Sequence, residues 1–189
     1  MTDEHTVVYT IGHSNVPAQK IVDLLKAYQI DVLVDVRSTP YSRFAPQFNR
    51  EPFAETLRGS GITYKYAGEY LGGRPKDPTC YKSGEEPTKN TEYLKLVDYA
   101  EVARRPWYQQ GIAHLVDIAS RQRTAIMCSE EDPHQCHRHH LIAQTLLTMG
   151  IIVRHIRGQG TVEEATLEEK TQAEPQPLQM TLFDMGSGQ

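Results

Sequence analysis

Residues 32–36 read Val-Leu-Val-Asp-Val, a run that is apolar at every position except Asp35. A short run so rich in β-branched residues is typical of a strand that is buried on both faces. Residues 6–11, Thr-Val-Val-Tyr-Thr-Ile, and residues 125–128, Ala-Ile-Met-Cys, have the same character. Strands of this kind occur mainly in parallel sheets that helices cover on both faces. The three segments therefore predict the centre of a parallel sheet.

Helical patterns separate these strands. After Pro17, apolar side chains recur at Ile21, Leu24, Leu25 and Tyr28, which is the spacing of one helix face. Similar patterns predict further helices at 52–59, 91–103, 106–119 and 133–149, and further strands at 62–67 and 151–153. Strands that alternate with helices define the α/β class. We therefore expect one α/β domain, a Rossmann-like three-layer sandwich whose mainly parallel sheet is covered by helices on both faces.

The charge of the chain is unevenly distributed. The sequence has 20 Lys and Arg and 24 Asp and Glu residues, but six of the acids and only one of the bases follow residue 157. Residues 1–157 are therefore close to neutral, and any contact with nucleic acid must use a local basic patch. From residue 158 apolar residues become scarce. We predict a ligand-binding or catalytic domain over 1–157 and a flexible, acidic and polar tail over 158–189.

The sequence predicts neither membrane insertion nor export. No apolar run approaches the roughly 20 residues that span a bilayer, and residues 1–5 lack the character of a signal peptide. Three cysteines, an odd number, do not indicate a disulfide framework. We therefore expect a soluble, cytoplasmic protein whose cysteines are free thiols, metal ligands or reactive groups.

Polar side chains follow three of the predicted strands. They lie in Thr10–Asn15, in Asp35–Ser38, and in Cys128–Glu130 running on to Cys136–Arg138. In an open parallel sheet the ligand crevice lies outside the carboxyl ends of the strands. We therefore expect these segments to converge on one site.

Three arginines predict that this site binds an anion. Arg37, Arg43 and Arg138 could present forked donors, which match the oxygens of a phosphate group. The alternative is that these arginines pair with acidic groups at the surface.

Asp35 and His13 are the predicted acid–base groups. A carboxylate at the end of a buried strand can orient a neighbouring histidine or take a proton itself. Asp35 could instead pair with a nearby arginine or cap a turn. Aromatic residues of the same region suit the stacking of nucleobases, although aromatics more often form core; they are Tyr41, Phe44, Phe48, Tyr64 and Tyr66.

The cysteines allow two interpretations. Cys128 follows a strand and faces a predicted helix start, a setting that can lower the pKa of a thiol, but cysteine is also a common small core residue. Structural zinc sites use ligand pairs two to four residues apart, and the spacing of Cys128, Cys136 and His137 does not fit. We therefore predict no metal and no cofactor; a metal, if present, would use these three residues, with His13 as the fourth candidate.

Several spaced motifs make the chain recognisable. They are Tyr9–Asn15, Leu33–Arg43, Gly61–Tyr64, Leu71–Gly73, and Met127–Glu130 followed by Cys136–Arg138. Over most of residues 6–156 the chain resembles the bacterial and archaeal family called domain of unknown function 488. The resemblance implies a fold and a site without an assigned reaction. The implied site residues are His13, Ser14, Asp35, Arg37, Ser42, Arg43, Tyr64, Cys128, Glu130, Cys136, His137 and Arg138.

The predicted tail carries a separate motif. Residues 179–183, Gln-Met-Thr-Leu-Phe, resemble the peptide by which bacterial repair and replication proteins bind the DNA sliding clamp. A peptide with apolar anchors can fill a groove on a partner, here with Gln179, Leu182 and Phe183 as the contacts. The alternative is that Leu178, Leu182 and Phe183 pack on the domain itself.

These features together predict an enzyme of DNA maintenance. The leading hypothesis is a hydrolase that acts on a nucleotide or base in nucleic acid, such as a DNA repair glycosylase, and that the sliding clamp recruits. The predicted catalytic residues are His13, Asp35, Cys128 and Glu130, and the predicted substrate- or phosphate-binding residues are Ser14, Arg37, Ser42, Arg43, Tyr64, His137 and Arg138. The alternatives are a thiol or metal protein that uses Cys128 and Cys136, and a non-catalytic module that binds nucleotides or nucleic acid.

Overall fold

A single six-stranded sheet forms the centre of the molecule. The computed structural model describes residues 6–88 and 92–168. The strands are β1 (Val7–Gly12), β2 (Val32–Asp35), β3 (Thr63–Tyr66), β4 (Thr124–Cys128), β5 (Ile152–Ile156) and β6 (Val162–Glu164). Their order across the sheet is β3-β2-β4-β1-β5-β6. The first five strands are parallel and β6 is antiparallel to β5, which confirms the predicted fold class.

Helices cover both faces of this sheet. They are α1 (Ala18–Ala27), α2 (Arg50–Gly59), α3 (Gly68–Leu71), α4 (Tyr93–Leu96), α5 (Tyr99–Arg104), α6 (Pro106–Ala119) and α7 (Gln144–Thr148). A π-helical segment, Arg138–Ala143, leads directly into α7. Side chains of α1 and α2 pack with Tyr9, Ile11 and Leu33 on one face. Side chains of α3, α5, α6 and α7 pack with alternate strand residues on the other face.

Two of the predicted helices are interrupted in the structure. The helix predicted at 91–103 is split into α4 and α5, because Val97 is extended and forms a β-bridge with Tyr81. The helix predicted at 133–149 is interrupted at Cys136, whose backbone is extended (φ −142°, ψ 142°). Before this break lies only a short 3₁₀ turn, Pro133–Gln135.

The sheet also continues past the predicted end of the domain at residue 157. Strand β6 pairs with β5 through Arg154–Glu164 and Ile156–Val162. The sliding-clamp-like peptide at 179–183 lies outside the described residues.

No helix within residues 6–88 and 92–168 combines the length and hydrophobicity that crossing a bilayer requires. The longest of them, α6, has 14 residues, whereas a membrane-spanning helix needs about 20.

Candidate active-site cleft

Three strand ends meet at one edge of the sheet. The backbone N–H of His13 donates to the carbonyl of Cys128 at 3.0 Å, and that of Val36 donates to Met127 at 3.0 Å. These bonds tie the loops after β1 and β2 to the end of β4. The predicted convergence of the three segments is therefore present in the structure.

A cleft of about 620 Å³ lies at this edge, over β2 and β4. Its floor contains Arg37 and the residues that follow β4, and its half-buried tyrosines are Tyr93 and Tyr99. The exposed cations Arg74 and Lys95 lie at its rim. Clefts of this size accommodate small-molecule ligands or single nucleotides.

An ion pair at the end of β2 is buried. Asp35 is 0% exposed and Arg37 is 4% exposed. Arg37 Nη2 donates to Asp35 Oδ2 at 2.6 Å, and Arg37 Nε donates to Asp35 Oδ1 at 2.9 Å. Arg37 Nη2 also donates to the carbonyl of Phe48 at 2.7 Å. This fork geometry is the bidentate pairing that arginine forms with carboxylates.

Two further side chains complete what we call the carboxylate network, which consists of His13, Asp35, Arg37 and Tyr64. The Tyr64 hydroxyl donates to Asp35 Oδ2 at 2.7 Å. Arg37 Nη1 donates to His13 Nε2 at 3.1 Å, so His13 carries its proton on Nδ1 and donates it to the carbonyl of Ser14. Burial, reinforced by the positive charge of Arg37, lowers the pKa of His13 to about 4.

The carboxylate network has no free acid–base group directed at the cleft. Both oxygens of Asp35 accept hydrogen bonds, and both ring nitrogens of His13 are occupied. Neither residue lines the cleft. Of the predicted roles for Asp35, the structure shows the pairing with arginine and also a turn contact, because Asp35 Oδ1 accepts the backbone N–H of Arg37 at 3.0 Å. His13 and Asp35 orient Arg37, which does line the cleft.

Arg138 is enclosed in the same way. It is 0% exposed, and its Nη1 and Nη2 donate to the carbonyls of Glu130 and Glu131. Its Nε donates to Thr10 Oγ1 at 3.3 Å. All three nitrogens thus hold the loop after β4 against β1, and the guanidinium does not line the cleft.

Some of the remaining predicted binding residues line the cleft and others lie outside it. Ser42 lines the cleft, and its hydroxyl accepts hydrogen bonds from the backbone of its own loop. Ser14 and Arg43 are exposed but lie outside the cleft. The structure therefore does not bring Arg37, Arg43 and Arg138 together as one phosphate-binding cluster.

The second group of buried polar side chains is what we call the cysteine cluster, Cys128, Cys136 and His137. His137 Nδ1 lies 3.7 Å from Cys128 Sγ and 3.8 Å from Cys136 Sγ. All three residues line the cleft although they are at most 7% exposed. Cys128 ends β4, whereas the break at Cys136 turns the following residues back onto that strand end.

The pKa values of the two thiols in this cluster are shifted in opposite directions. Hydrogen bonding to Cys136 and burial raise the pKa of Cys128. Although burial opposes it, hydrogen bonding from Cys128 and the nearby His137 and Arg138 lower the pKa of Cys136. The negative charge of Cys136 raises the pKa of His137 against the opposing effect of burial.

Glu130 lies next to this cluster. Its Oε2 is 3.2 Å from Cys128 Sγ, and its side chain is exposed to the cleft. Burial of its carboxyl group and the charge of Cys136 raise the pKa of Glu130. The hydroxyl of Tyr99 is in the same environment, and burial together with Cys136 raises its pKa.

Several cleft residues were not predicted from the sequence. They are Arg74, Glu92, Tyr93, Lys95 and Tyr99. Only Arg74 lies in the long segment over residues 72–90, whose Gly, Pro, Lys and Asp content is a signal because long loops in compact domains are often functional. His139, which follows Arg138 in the sequence, is buried and shares a hydrogen bond of 3.0 Å with His155.

The fold and the cleft define an α/β domain with an enclosed polar site at the carboxyl edge of a parallel sheet. Residues 17–145 match the family model described as Domain of unknown function DUF488. The chain belongs to this family, as its motifs predict. Neither the curated proteins nor the solved structures include a significant match.

Proposed function

We propose that this protein is a hydrolase that acts on a base or nucleotide of DNA, with the cleft as its active site. The observation that carries the proposal is the composition of the cleft. Its buried floor contains Arg37 and the cysteine cluster, and tyrosines and exposed cations lie beside this floor. Tyr93 and Tyr99 present aromatic surface, on which a nucleobase can stack. A base must leave the helical stack before an enzyme can act on that base. In this proposal the cleft binds the extruded base.

The rim of the cleft suits a phosphate backbone. The guanidinium of Arg74 lies over the ring of Tyr93 at 4.3 Å, so a cation and an aromatic face are presented side by side. Lys95 lies nearby and forms an ion pair with Glu92 at the surface. Exposed pairs of this kind contribute little to stability, so Lys95 can exchange its partner for a phosphate at low cost.

Within the cleft, Glu130 is the proposed acid–base group. It faces the cleft beside Cys128, while the other lining carboxylate, Glu92, is engaged by Lys95. Hydrolysis needs one group that takes a proton from water and returns it to the leaving group. Asp35 and His13 act in this proposal as positioning residues, because they hold Arg37 in place.

The experiment is a product assay with the full chain. Single-stranded and duplex oligonucleotides, each with one uracil, hypoxanthine, oxidised or alkylated base, are incubated with protein and analysed by mass spectrometry for released or deaminated bases. We expect Glu130→Gln to lower the rate at least about 100-fold, whereas Glu55→Gln, an exposed residue of α2, serves as the matched control. Binding without any product would indicate the non-catalytic module, and absence of both would overturn the proposal.

Recruitment by the sliding clamp is the second part of the proposal, and it rests on the sequence of residues 179–183. We expect the full chain to bind a bacterial sliding clamp and the double variant Leu182→Ala/Phe183→Ala to lose binding. The matched control is Met180→Ala/Thr181→Ala, which changes only the variable positions of the motif. Equal binding by both variants would remove the clamp from the proposal.

A further inference from the structure

The ligand atoms of the cysteine cluster have the spacing of a tetrahedral metal site. Nδ1 of His137 is 3.7 Å from one sulfur and 3.8 Å from the other, and all three ligand atoms lie within 4.8 Å of one another. Zinc bonds of about 2.3 Å to sulfur and about 2.05 Å to nitrogen, at tetrahedral angles, place sulfur and nitrogen about 3.6 Å apart. Very small movements would therefore close the site around an ion.

The ring of His137 is held in the orientation that a metal ligand requires. Its Nε2 donates to the carbonyl of Leu71 at 3.1 Å, so Nδ1 faces the two sulfurs. Metal-binding histidines commonly use their second nitrogen in this way. The backbone of Gly73 packs against the same ring, since a Cβ at that position would lie 2.5 Å from His137 Cγ.

A backbone N–H donor lies beside the sulfur of Cys136. The backbone N–H of Arg138 is 3.5 Å from Cys136 Sγ, and the guanidinium of Arg138 is buried among carbonyl groups. Two thiolates in a buried site require a compensating cation. A divalent ion bound between the sulfurs would supply this positive charge.

We propose that Cys128, Cys136 and His137 bind one zinc ion whose fourth position opens into the cleft. Two thiolates and an imidazole favour zinc over the oxygen-binding ions magnesium and calcium. Three protein ligands with one open position are typical of catalytic zinc sites, whereas structural sites have four. Glu130 contacts Cys128 and borders the open side, so it would accept a hydrogen bond from a water molecule bound there. The ion would be the reaction centre of the proposed hydrolase, so this assignment rests on the proposed function. Metal binding itself can be measured without substrate.

The sequence spacing that argues against a metal is explained by the fold. Seven residues separate Cys128 from Cys136, and they form a loop and the 3₁₀ turn at Pro133–Gln135. Asp132 fixes this turn by accepting the N–H of His134 at 3.0 Å, and Arg138 fixes the loop through two carbonyls. The second cysteine therefore returns to the end of β4 instead of continuing away from it.

The first test is zinc stoichiometry. The full chain is expressed with added zinc, purified without chelators and analysed by plasma mass spectrometry. We expect about one zinc per chain for the wild type and for Cys80→Ser, a buried cysteine outside the cluster, and at least about tenfold less for Cys128→Ser and Cys136→Ser. Glu130→Gln should retain zinc because it is not a ligand. Wild-type zinc content in both cluster variants would overturn the proposal.

The second test uses the wild type alone, so it is independent of variants that fail to fold. Metal-free protein is titrated with cobalt(II), and we expect one equivalent to give thiolate charge-transfer and intense tetrahedral bands. Addition of azide should then shift these bands, because the fourth position is open. A saturated protein with no cobalt signal overturns the metal site, and bands that azide leaves unchanged overturn the open position.

The two proposals fail in different ways. Zinc binding without release or deamination of any base would retain the metal site and remove the hydrolase. Base release by zinc-free protein, unchanged by a chelator, would retain the hydrolase and remove the metal site.

Discussion

The carboxylate network and the cysteine cluster lie at the same edge of the sheet and are both buried, yet they differ in what their polar atoms contact. In the network, both oxygens of Asp35 and both ring nitrogens of His13 have protein partners. In the cluster, two sulfurs converge on Nδ1 of His137, and all three residues line the cleft. A network with every group satisfied stabilises a fold, whereas thiol and imidazole groups that converge at a cleft indicate a candidate binding site.

The largest effect that can test this comparison is the loss of the Asp35 carboxylate. In Asp35→Asn the buried Arg37 keeps its charge without a counter-ion, so we expect the free energy of unfolding to fall by about 3–5 kcal/mol. Urea denaturation measures this change. Asp117→Asn, which removes an exposed partner of Arg121, is the matched control and should change the free energy by less than about 1 kcal/mol. If Asp35→Asn lowered the free energy of unfolding as little as Asp117→Asn does, the carboxylate network would not be what stabilises this edge of the sheet.

The next effect is a dependence of stability on pH through His13. The unfolded chain protonates this histidine near pH 6.5, whereas in the folded protein its pKa is about 4. The unfolded state therefore binds the proton first, and the free energy of unfolding falls by about 3 kcal/mol as the pH decreases from about 6.5 to about 4.

Urea denaturation of the wild type and of His13→Gln across this pH range isolates the contribution of His13. The difference in stability between the two proteins should shrink as the pH falls. The exposed His114, replaced in the same way, should leave the profile of the wild type unchanged. Parallel profiles for the wild type and His13→Gln would contradict the buried, neutral state of His13.

A smaller loss is expected at the outer end of the network. Tyr64→Phe removes one hydrogen bond to a buried carboxylate and leaves the ring, so we expect destabilisation by about 1.5–3 kcal/mol. Tyr28→Phe, which removes a hydrogen bond to the neutral carbonyl of Gly160, should cost about 0.5–1.5 kcal/mol. Thermal unfolding of both variants compares the stability that each hydrogen bond contributes. A larger loss for Tyr28→Phe than for Tyr64→Phe would show that Tyr64 contributes little to the network.

The smallest effect on stability is expected where the effect on activity is largest. Glu130→Gln changes a side chain that faces the cleft, and we expect the free energy of unfolding to change by no more than about 0.5 kcal/mol. Urea denaturation beside the product assay makes the contrast with Asp35→Asn direct. Substantial destabilisation by Glu130→Gln would place this residue with the structural network instead of the cleft.

The fold was largely predictable because its strands are short apolar runs and its longer helices are periodic. The patterns at 32–36 and 17–28 correspond to β2 and α1. The split between α4 and α5 was not predictable, because it depends on the bridge from Tyr81 to Val97, two residues far apart in the sequence.

The location of the site was predictable, but the roles of its residues were not. Parallel strands alone bring the segments after β1, β2 and β4 together. Whether Asp35 is free or paired depends on the path of Arg37, and whether Cys136 reaches Cys128 depends on a single 3₁₀ turn. These are properties of loop geometry, to which hydrophobic periodicity is insensitive.

Gly12 shows how firmly the floor of the cleft is joined to the sheet. A Cβ at this position would lie 1.6 Å from the carbonyl oxygen of Glu130, so the loops after β1 and β4 are in backbone contact. Other residues of the cleft, such as Tyr41 and Arg74, instead come from connections between elements. Connections tolerate sequence change more readily than strand ends do. Sequence change at the opening of the cleft is therefore compatible with an unchanged floor.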